Sequence, residues 1–144
     1  MDTEKRAYLT MAEVIEAAIR FERDSAEFYE GMVKLAEREE VRELLGQLRD
    51  EELGHATSLL GLTVSQDDAC IQFPPTFTLA PFRSLPVSPG FDDMLDLAID
   101  REVQSVELYR NAAALGSGSI GQLMQDLSKF EAIHVRTLKE MKHR

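Results

Sequence analysis

The sequence predicts an all-α protein: a four-helix bundle made of two repeated helical hairpins that are joined by a long crossover. All five prolines fall in one window, roughly residues 63–90. The segments on either side contain no proline and place apolar residues at spacings of three and four, which is typical of amphipathic helices. The two segments also repeat one another. We therefore expect one domain over residues 1–144, with hairpins at about 10–62 and about 91–142.

Capping residues and helix-breaking residues predict where the first three helices begin or end. Thr10 and Glu13 have the spacing of a capping box, which predicts the start of the first helix. Gly61 predicts the end of the second helix. Either Ser88 or Asp92 could cap the third helix.

The start of the fourth helix and the course of the crossover can also be predicted. Gly116 and Gly118 break the chain before the fourth helix, and Ser119 with Gln122 offers a second capping box. The crossover is far longer than a tight turn needs, and an extended chain covers about 3.3 Å per residue. It can therefore run back along the bundle, so that the second and third helices are parallel.

The internal repeat lies mainly on the inward-facing positions. The first helix recurs 80 positions later in the third helix, and the second helix recurs 79 positions later in the fourth. The matched pairs include Glu22 and Glu102, Ser25 and Ser105, Tyr29 and Tyr109, Glu52 and Glu131, and His55 and His134. Two hairpins related by a pseudo-two-fold axis would bring these side chains to one centre.

Four glutamates and two histidines interrupt the apolar stripes and indicate a dinuclear metal site. Glu52 precedes His55 by three residues, and Glu131 precedes His134 by three, so each pair shares one helix face. A carboxylate in an apolar stripe is unfavourable unless it is paired or binds a metal. Carboxylate and imidazole ligands suit iron, manganese or zinc, and a bundle core is a known place for such a set.

Some choices within this site remain open. Glu51 also shares a face with His55, four residues on, but the match of Glu52 to Glu131 favours Glu52 as the ligand. Tyr29 and Tyr109 could hydrogen-bond the carboxylates or could be ordinary core residues.

Composition limits the partners. The formal net charge is −10, which disfavours nucleic acid and an anionic membrane surface. No apolar stretch is long enough to span a membrane or to form a signal peptide. Cys70 is the only cysteine, which excludes an intrachain disulfide and fits a reducing cytoplasm. We expect a cytoplasmic protein.

The segments AIRFERDSAEFY and LRDEELGHATSLL, repeated as AIDREVQSVELY and LSKFEAIHVRTL, resemble the ferritin-like di-iron carboxylate proteins, the rubrerythrin branch in particular. The resemblance implies a ferritin-like bundle that binds two iron ions, with manganese or zinc as alternatives. By this resemblance, Glu22 and Glu102 are the single ligands of their helices. The paired ligands are Glu52 with His55 and Glu131 with His134.

The sequence departs from the rubrerythrin pattern in two respects. Rubrerythrins usually carry an additional glutamate where this chain has Ser105, so the ligand set here is the symmetric one of ferritin-like ferroxidase centres. The family also commonly carries a rubredoxin module with Cys-x-x-Cys pairs, which these 144 residues lack. Any electron donor is therefore expected to be a separate protein.

The resemblance to rubrerythrins and the small size of the chain favour a di-iron oxidoreductase that reduces hydrogen peroxide or dioxygen and protects the cell from oxidative stress, whereas the symmetric ligand set favours iron handling. One alternative is an iron-handling ferroxidase that oxidises Fe(II). Another is a metal-stabilised bundle without catalytic turnover. We expect the chain to form a homodimer.

Overall fold

The computed structural model describes residues 9–64, 72–73 and 90–142. Four helices account for most of them: α1 (Met11–Leu35), α2 (Glu39–Leu60), α3 (Phe91–Leu115) and α4 (Gly118–Lys142). Two short strands, β1 (Leu9–Thr10) and β2 (Gln72–Phe73), pair in antiparallel fashion. The predicted four-helix architecture is confirmed. Among the described residues, no helix is both long enough and apolar enough to cross a membrane.

The predicted start of α1 and end of α2 are confirmed. The Glu13 backbone N–H donates to Thr10 Oγ1 at 3.2 Å, and the Thr10 backbone N–H donates to Glu13 Oε1 at 3.1 Å. This reciprocal capping box pairs two backbone donors that would otherwise have no partner within the helix. At the other end of the hairpin, α2 ends at Leu60 and Gly61 is its C-cap residue.

The start of α3 differs from the prediction. Gly90 is the N-cap residue, in an extended conformation and without a side-chain cap. Asp92 lies inside the first turn, where its negative charge interacts favourably with the positive end of the helix dipole. The prediction that Asp92 caps the helix is therefore wrong, and Ser88 lies outside the described residues.

The predicted capping box of α4 is also wrong, because the helix begins one residue before Ser119. Gly118, the first helical residue, has a φ of +55°, a left-handed conformation that glycine adopts without a steric penalty. The chain thus turns into α4 through this glycine. The Gln122 side-chain amide donates to Asp126 Oδ1 at 3.0 Å, one turn further along the helix.

Cross-helix contacts establish the topology. Tyr29 on α1 contacts Glu102 on α3, whereas Tyr109 on α3 contacts Glu22 on α1, so these two helices are antiparallel. Helix α1 packs along α2, and α3 packs along α4, as two hairpins. Because α2 and α3 are both antiparallel to α1, they run parallel to one another, as the long crossover predicts.

Two apolar clusters lie on either side of a polar centre. One contains Met11, Ile15, Leu59, Met124 and Leu127 among its members. The other contains Met32, Leu45, Leu95, Leu138 and Met141. Burying each such side chain stabilises the fold by about 1.5–3 kcal/mol. The burial of these apolar side chains therefore offsets the unfavourable burial of the polar side chains at the centre.

Candidate metal centre

The six side chains singled out by the sequence meet in the middle of the bundle. They form two overlapping groups, one of Glu22, Glu52, His55 and Glu131, the other of Glu52, Glu102, Glu131 and His134. Within each group, one potential ligand atom from each residue lies within 4.8 Å of the others. Glu52 and Glu131 belong to both groups. The geometry therefore offers two adjacent cation positions that share two carboxylates.

Several carboxylate and imidazole atoms at this centre are buried without a hydrogen bond of normal geometry. The four carboxylates are at most 1% exposed. Among the buried side-chain atoms without a partner are Glu22 Oε2, both Glu52 carboxylate oxygens, Glu102 Oε2, Glu131 Oε2 and His134 Nδ1. A buried polar atom left without a partner is unfavourable by about 1–3 kcal/mol. A donor set of carboxylate oxygens and imidazole nitrogen, unpaired at one point, fits two divalent cations.

Burial and mutual repulsion shift the pKa values of the carboxyl groups. Burial, then the neighbouring charge of Glu102, raises the pKa of Glu52 well above its usual range. The pKa of Glu131 is raised for the same two reasons. Burial is the largest single influence on Glu22 and opposes its ionisation, but the interactions with His55, Glu52 and Glu131 together outweigh it, so the pKa of Glu22 is lowered. Cations bound between these groups would remove the repulsion.

The two histidines are held among these carboxylates. His55 Nδ1 lies 3.0 Å from Glu131 Oε1 and 3.6 Å from Glu22 Oε2. Burial opposes its protonation, but these two carboxylates raise its pKa to about 9. His134 Nδ1 lies 2.9 Å from Glu52 Oε1. Burial of His134 is likewise outweighed by the surrounding carboxylates, which raise its pKa.

Two tyrosines connect the hairpins at the centre. The Tyr29 hydroxyl donates to Glu102 Oε1, and the Tyr109 hydroxyl donates to Glu22 Oε1, both at 2.6 Å. Each tyrosine therefore bonds the glutamate of the opposite hairpin rather than that of its own helix. Burial, then the charge of the accepting carboxylate, raises the pKa of both hydroxyls, so they remain protonated donors. Each bond fixes the orientation of one glutamate.

The structure separates Glu51 from Glu52. Glu52 is fully buried at the centre, whereas the Glu51 side chain is 52% exposed. Glu51 Oε2 lies 2.5 Å from Nε2 of His134, the ring nitrogen that points away from the centre. The spacing along α2 pairs Glu51 only with His55, so the sequence does not predict this contact. No spacing within one helix could have revealed it, because the two residues are 83 positions apart.

Sequence reasoning also missed Arg101. Its guanidinium carbon lies 3.9 Å from the centroid of the Phe21 ring, close enough for a cation–π interaction. Burial lowers the pKa of Arg101 to about 10. Arg101 and Phe21 occupy matching positions of the internal repeat, one residue before Glu102 and Glu22. The offset of 80 residues between the two helices is the sequence feature that could have pointed to this contact.

Comparison with known proteins gives the family. The family model named Rubrerythrin matches residues 13–142, which is most of the chain. The chain belongs to the rubrerythrin family. No curated protein matches it.

Two solved structures share the rubrerythrin-family fold of this chain. The first is described as a ferritin-like diiron-carboxylate protein from Thermotoga maritima. It is 20% identical to this chain with a TM-score of 0.85, covering 96% of this chain and 98% of its own. The second, a protein from Pyrococcus furiosus described as hypothetical, is 22% identical with a TM-score of 0.68, covering 91% and 90%. At these identities the likeness shows the fold alone, and the predicted ferritin-like class is confirmed.

Proposed function

We propose that this chain is a di-iron oxidoreductase of the rubrerythrin type that reduces hydrogen peroxide or dioxygen. The observation that carries the proposal is the buried set of unpaired ligand atoms at the meeting point of four helices. Glu22 and His55 would hold one iron ion, and Glu102 and His134 would hold the other. The two shared glutamates would contact both ions, and the four carboxylates would balance two divalent charges.

The chemistry follows from what each component supplies. When bound, a pair of ferrous ions would supply two electrons, which together with two protons would reduce one hydrogen peroxide molecule to two water molecules. Tyr29 donates a hydrogen bond to Glu102, and Tyr109 donates one to Glu22. These bonds keep the two carboxylates oriented as ligands. Apolar clusters flank the centre on either side.

A separate donor protein would restore the reduced state. A rubredoxin-type iron site needs several cysteine thiolates, and residues 1–144 contain one cysteine, so these residues by themselves cannot form such a site. We propose a cytoplasmic role in the removal of oxidants, with the reductant bound transiently.

One observation favours an iron-handling ferroxidase as a second candidate. Ser105 occupies the position where rubrerythrins usually carry an additional glutamate, and its hydroxyl donates to the Glu102 backbone carbonyl at 2.7 Å. The small hydroxyl is used locally and adds no carboxylate, so the ligand set stays symmetric. A symmetric set of this kind resembles that of ferritin-like ferroxidase centres and would suit the oxidation and transfer of Fe(II).

Stopped-flow oxidation distinguishes these candidates. Protein loaded anaerobically with two Fe(II) per chain is mixed with hydrogen peroxide or with dioxygen, and absorbance is followed. We expect faster oxidation by peroxide, together with sustained turnover only when a reductant protein is added. The exposed Glu27→Gln variant is the matched control for the double variant Glu52→Gln and Glu131→Gln, which should lose the reaction.

Two results would change the proposal. Faster reaction with dioxygen, followed by accumulation of a ferric mineral, would favour the iron-handling ferroxidase. Binding of no more than one tightly held iron per chain would contradict the dinuclear site itself.

A further inference from the structure

The internal repeat is broken beside the metal centre. Glu51 and Phe130 occupy matching positions, each one residue before a shared glutamate. Glu51 carries a carboxylate and Phe130 carries an aromatic ring, although the next residue is a glutamate in both helices. The break therefore changes the surroundings of the two histidines without changing the ligand set.

Glu51 holds the ring of His134 from the solvent side. Its carboxylate lies 2.5 Å from Nε2, while Nδ1 faces the centre, 2.9 Å from Glu52 and 3.2 Å from Glu131. A carboxylate that accepts the Nε2 proton leaves the Nδ1 lone pair available to a metal and fixes the ring orientation. The His134 side chain is only 2% exposed, so the ring is held from both sides.

Phe130 gives His55 no equivalent support. The two ring centroids are 5.7 Å apart and the ring planes are tilted by 40°. Among the described residues, every ion-pair contact of His55 is made by Nδ1. A phenyl ring cannot accept the outer ring proton as a carboxylate does. The His55 side chain is also more exposed than that of His134, at 11%.

We infer that the two metal positions are unequal, and that the position at His134 and Glu102 fills first and binds metal more tightly. The position at His55 and Glu22 fills second and exchanges its metal more readily. Glu51 acts as a positioning residue for His134. This inference rests on the proposed two-metal site and adds an order of filling to it. In the iron-handling alternative, the His55 position would be the one through which iron enters and leaves.

Zinc titration of the whole protein measures the difference between the positions. Isothermal calorimetry of the wild type with Zn²⁺ should show two steps whose dissociation constants differ by at least about 10-fold. Glu51→Ala should weaken the tight step by about 10–100-fold, since loss of an outer carboxylate has effects of this size. Glu43→Ala, an exposed residue of the same helix, should leave both steps unchanged. Phe130→Glu should tighten the weaker step.

Nitrogen NMR of the histidine rings identifies which position fills first. With one Zn²⁺ per chain, the ¹⁵N resonances of His134 should shift much more than those of His55, which the first zinc reaches only through the shared glutamates. Equal affinities, earlier filling at His55 or unchanged steps in Glu51→Ala would overturn this inference and leave the two-metal proposal intact. Fewer than two bound zinc ions in the wild type would overturn both. The side chains of Glu51 and Phe130 are both about half exposed, so neither substitution removes a core side chain. The two variants therefore test the inference independently of any loss of folding.

Discussion

The stability of the metal-free protein should fall as pH rises from 6.5 to 9, whereas the additional stability from bound metal should grow. Carboxylates raise the pKa of His55 from 6.5 to about 9 in the folded chain. A group with a raised folded pKa contributes stability that is fully present below its unfolded pKa. That stability is lost as pH rises through the folded pKa.

The buried carboxyl groups act in the same direction. Glu52 and Glu131 also have raised pKa values, so their contribution is present below 4.5 and lost as pH rises through the folded values. The lowered pKa of Glu22 has the opposite sign, but it acts below 4.5, outside the measured range. A metal binds unprotonated imidazole and carboxylate, so its binding strengthens as pH rises.

The size of the effect can be worked from His55. A shift from 6.5 to about 9 corresponds to about 3 kcal/mol, at about 1.4 kcal/mol per pKa unit. The His55 side chain is 11% exposed, so solvent screening reduces this value only modestly. In the other direction, a metal at one hundred times its dissociation constant adds about 2.7 kcal/mol. Over two pH units, the fall in the stability of the metal-free protein and the rise in the stabilisation by metal are therefore both large enough to measure.

Urea unfolding followed by helical circular dichroism tests this prediction. Unfolding free energies are measured at pH 6.5, 7.5 and 8.5, with EDTA or with Zn²⁺. His55→Gln should flatten the metal-free trend, whereas His143→Gln, outside the described residues, serves as the matched control. Metal-free stability that is constant or that rises with pH would refute the reasoning. A stabilisation by Zn²⁺ that becomes smaller as pH rises would refute it equally.

Three further predictions concern single contacts. The double variant Glu52→Gln and Glu131→Gln should reduce the difference in melting temperature between metal-loaded and metal-free protein. It weakens metal binding and relieves the repulsion between carboxylates in the metal-free protein. The same difference in wild type and variant would contradict this prediction. Tyr109→Phe removes the 2.6 Å bond to Glu22 and should lower the unfolding free energy by about 1–3 kcal/mol, measured in urea. Thr10→Ala removes the α1 cap and should lower it by about 1 kcal/mol, with no change in zinc affinity.

The helices and the site could be predicted because their signals are local or repeated. Spacing along one helix shows which residues share a face, and the 80-residue and 79-residue offsets show which faces meet. The capping box at Thr10 lies within four consecutive residues and needs no tertiary context. The same logic distinguished Glu52 from Glu51, because only Glu52 has a matching glutamate in the other hairpin.

The remaining features depend on what stands opposite each residue. Glu51 bonds His134 on another helix, and Tyr29 bonds the glutamate of the opposite hairpin. Neither choice is encoded in a spacing. The strands β1 and β2 contain two residues each, too few for a periodic pattern. Gly90 caps α3 without a side-chain hydrogen bond, so no polar residue marks that start.

The composition of the core argues that the carboxylates are not there for folding. Four glutamates that are at most 1% exposed and have unpaired oxygens destabilise a metal-free bundle, since apolar residues of similar volume would pack more favourably. The two apolar clusters already provide the packing on either side. The unfavourable groups also occur twice, at matching positions of the two hairpins. Cations that neutralise them would turn the least stable part of the core into a binding site, which accounts for both the repetition and the burial.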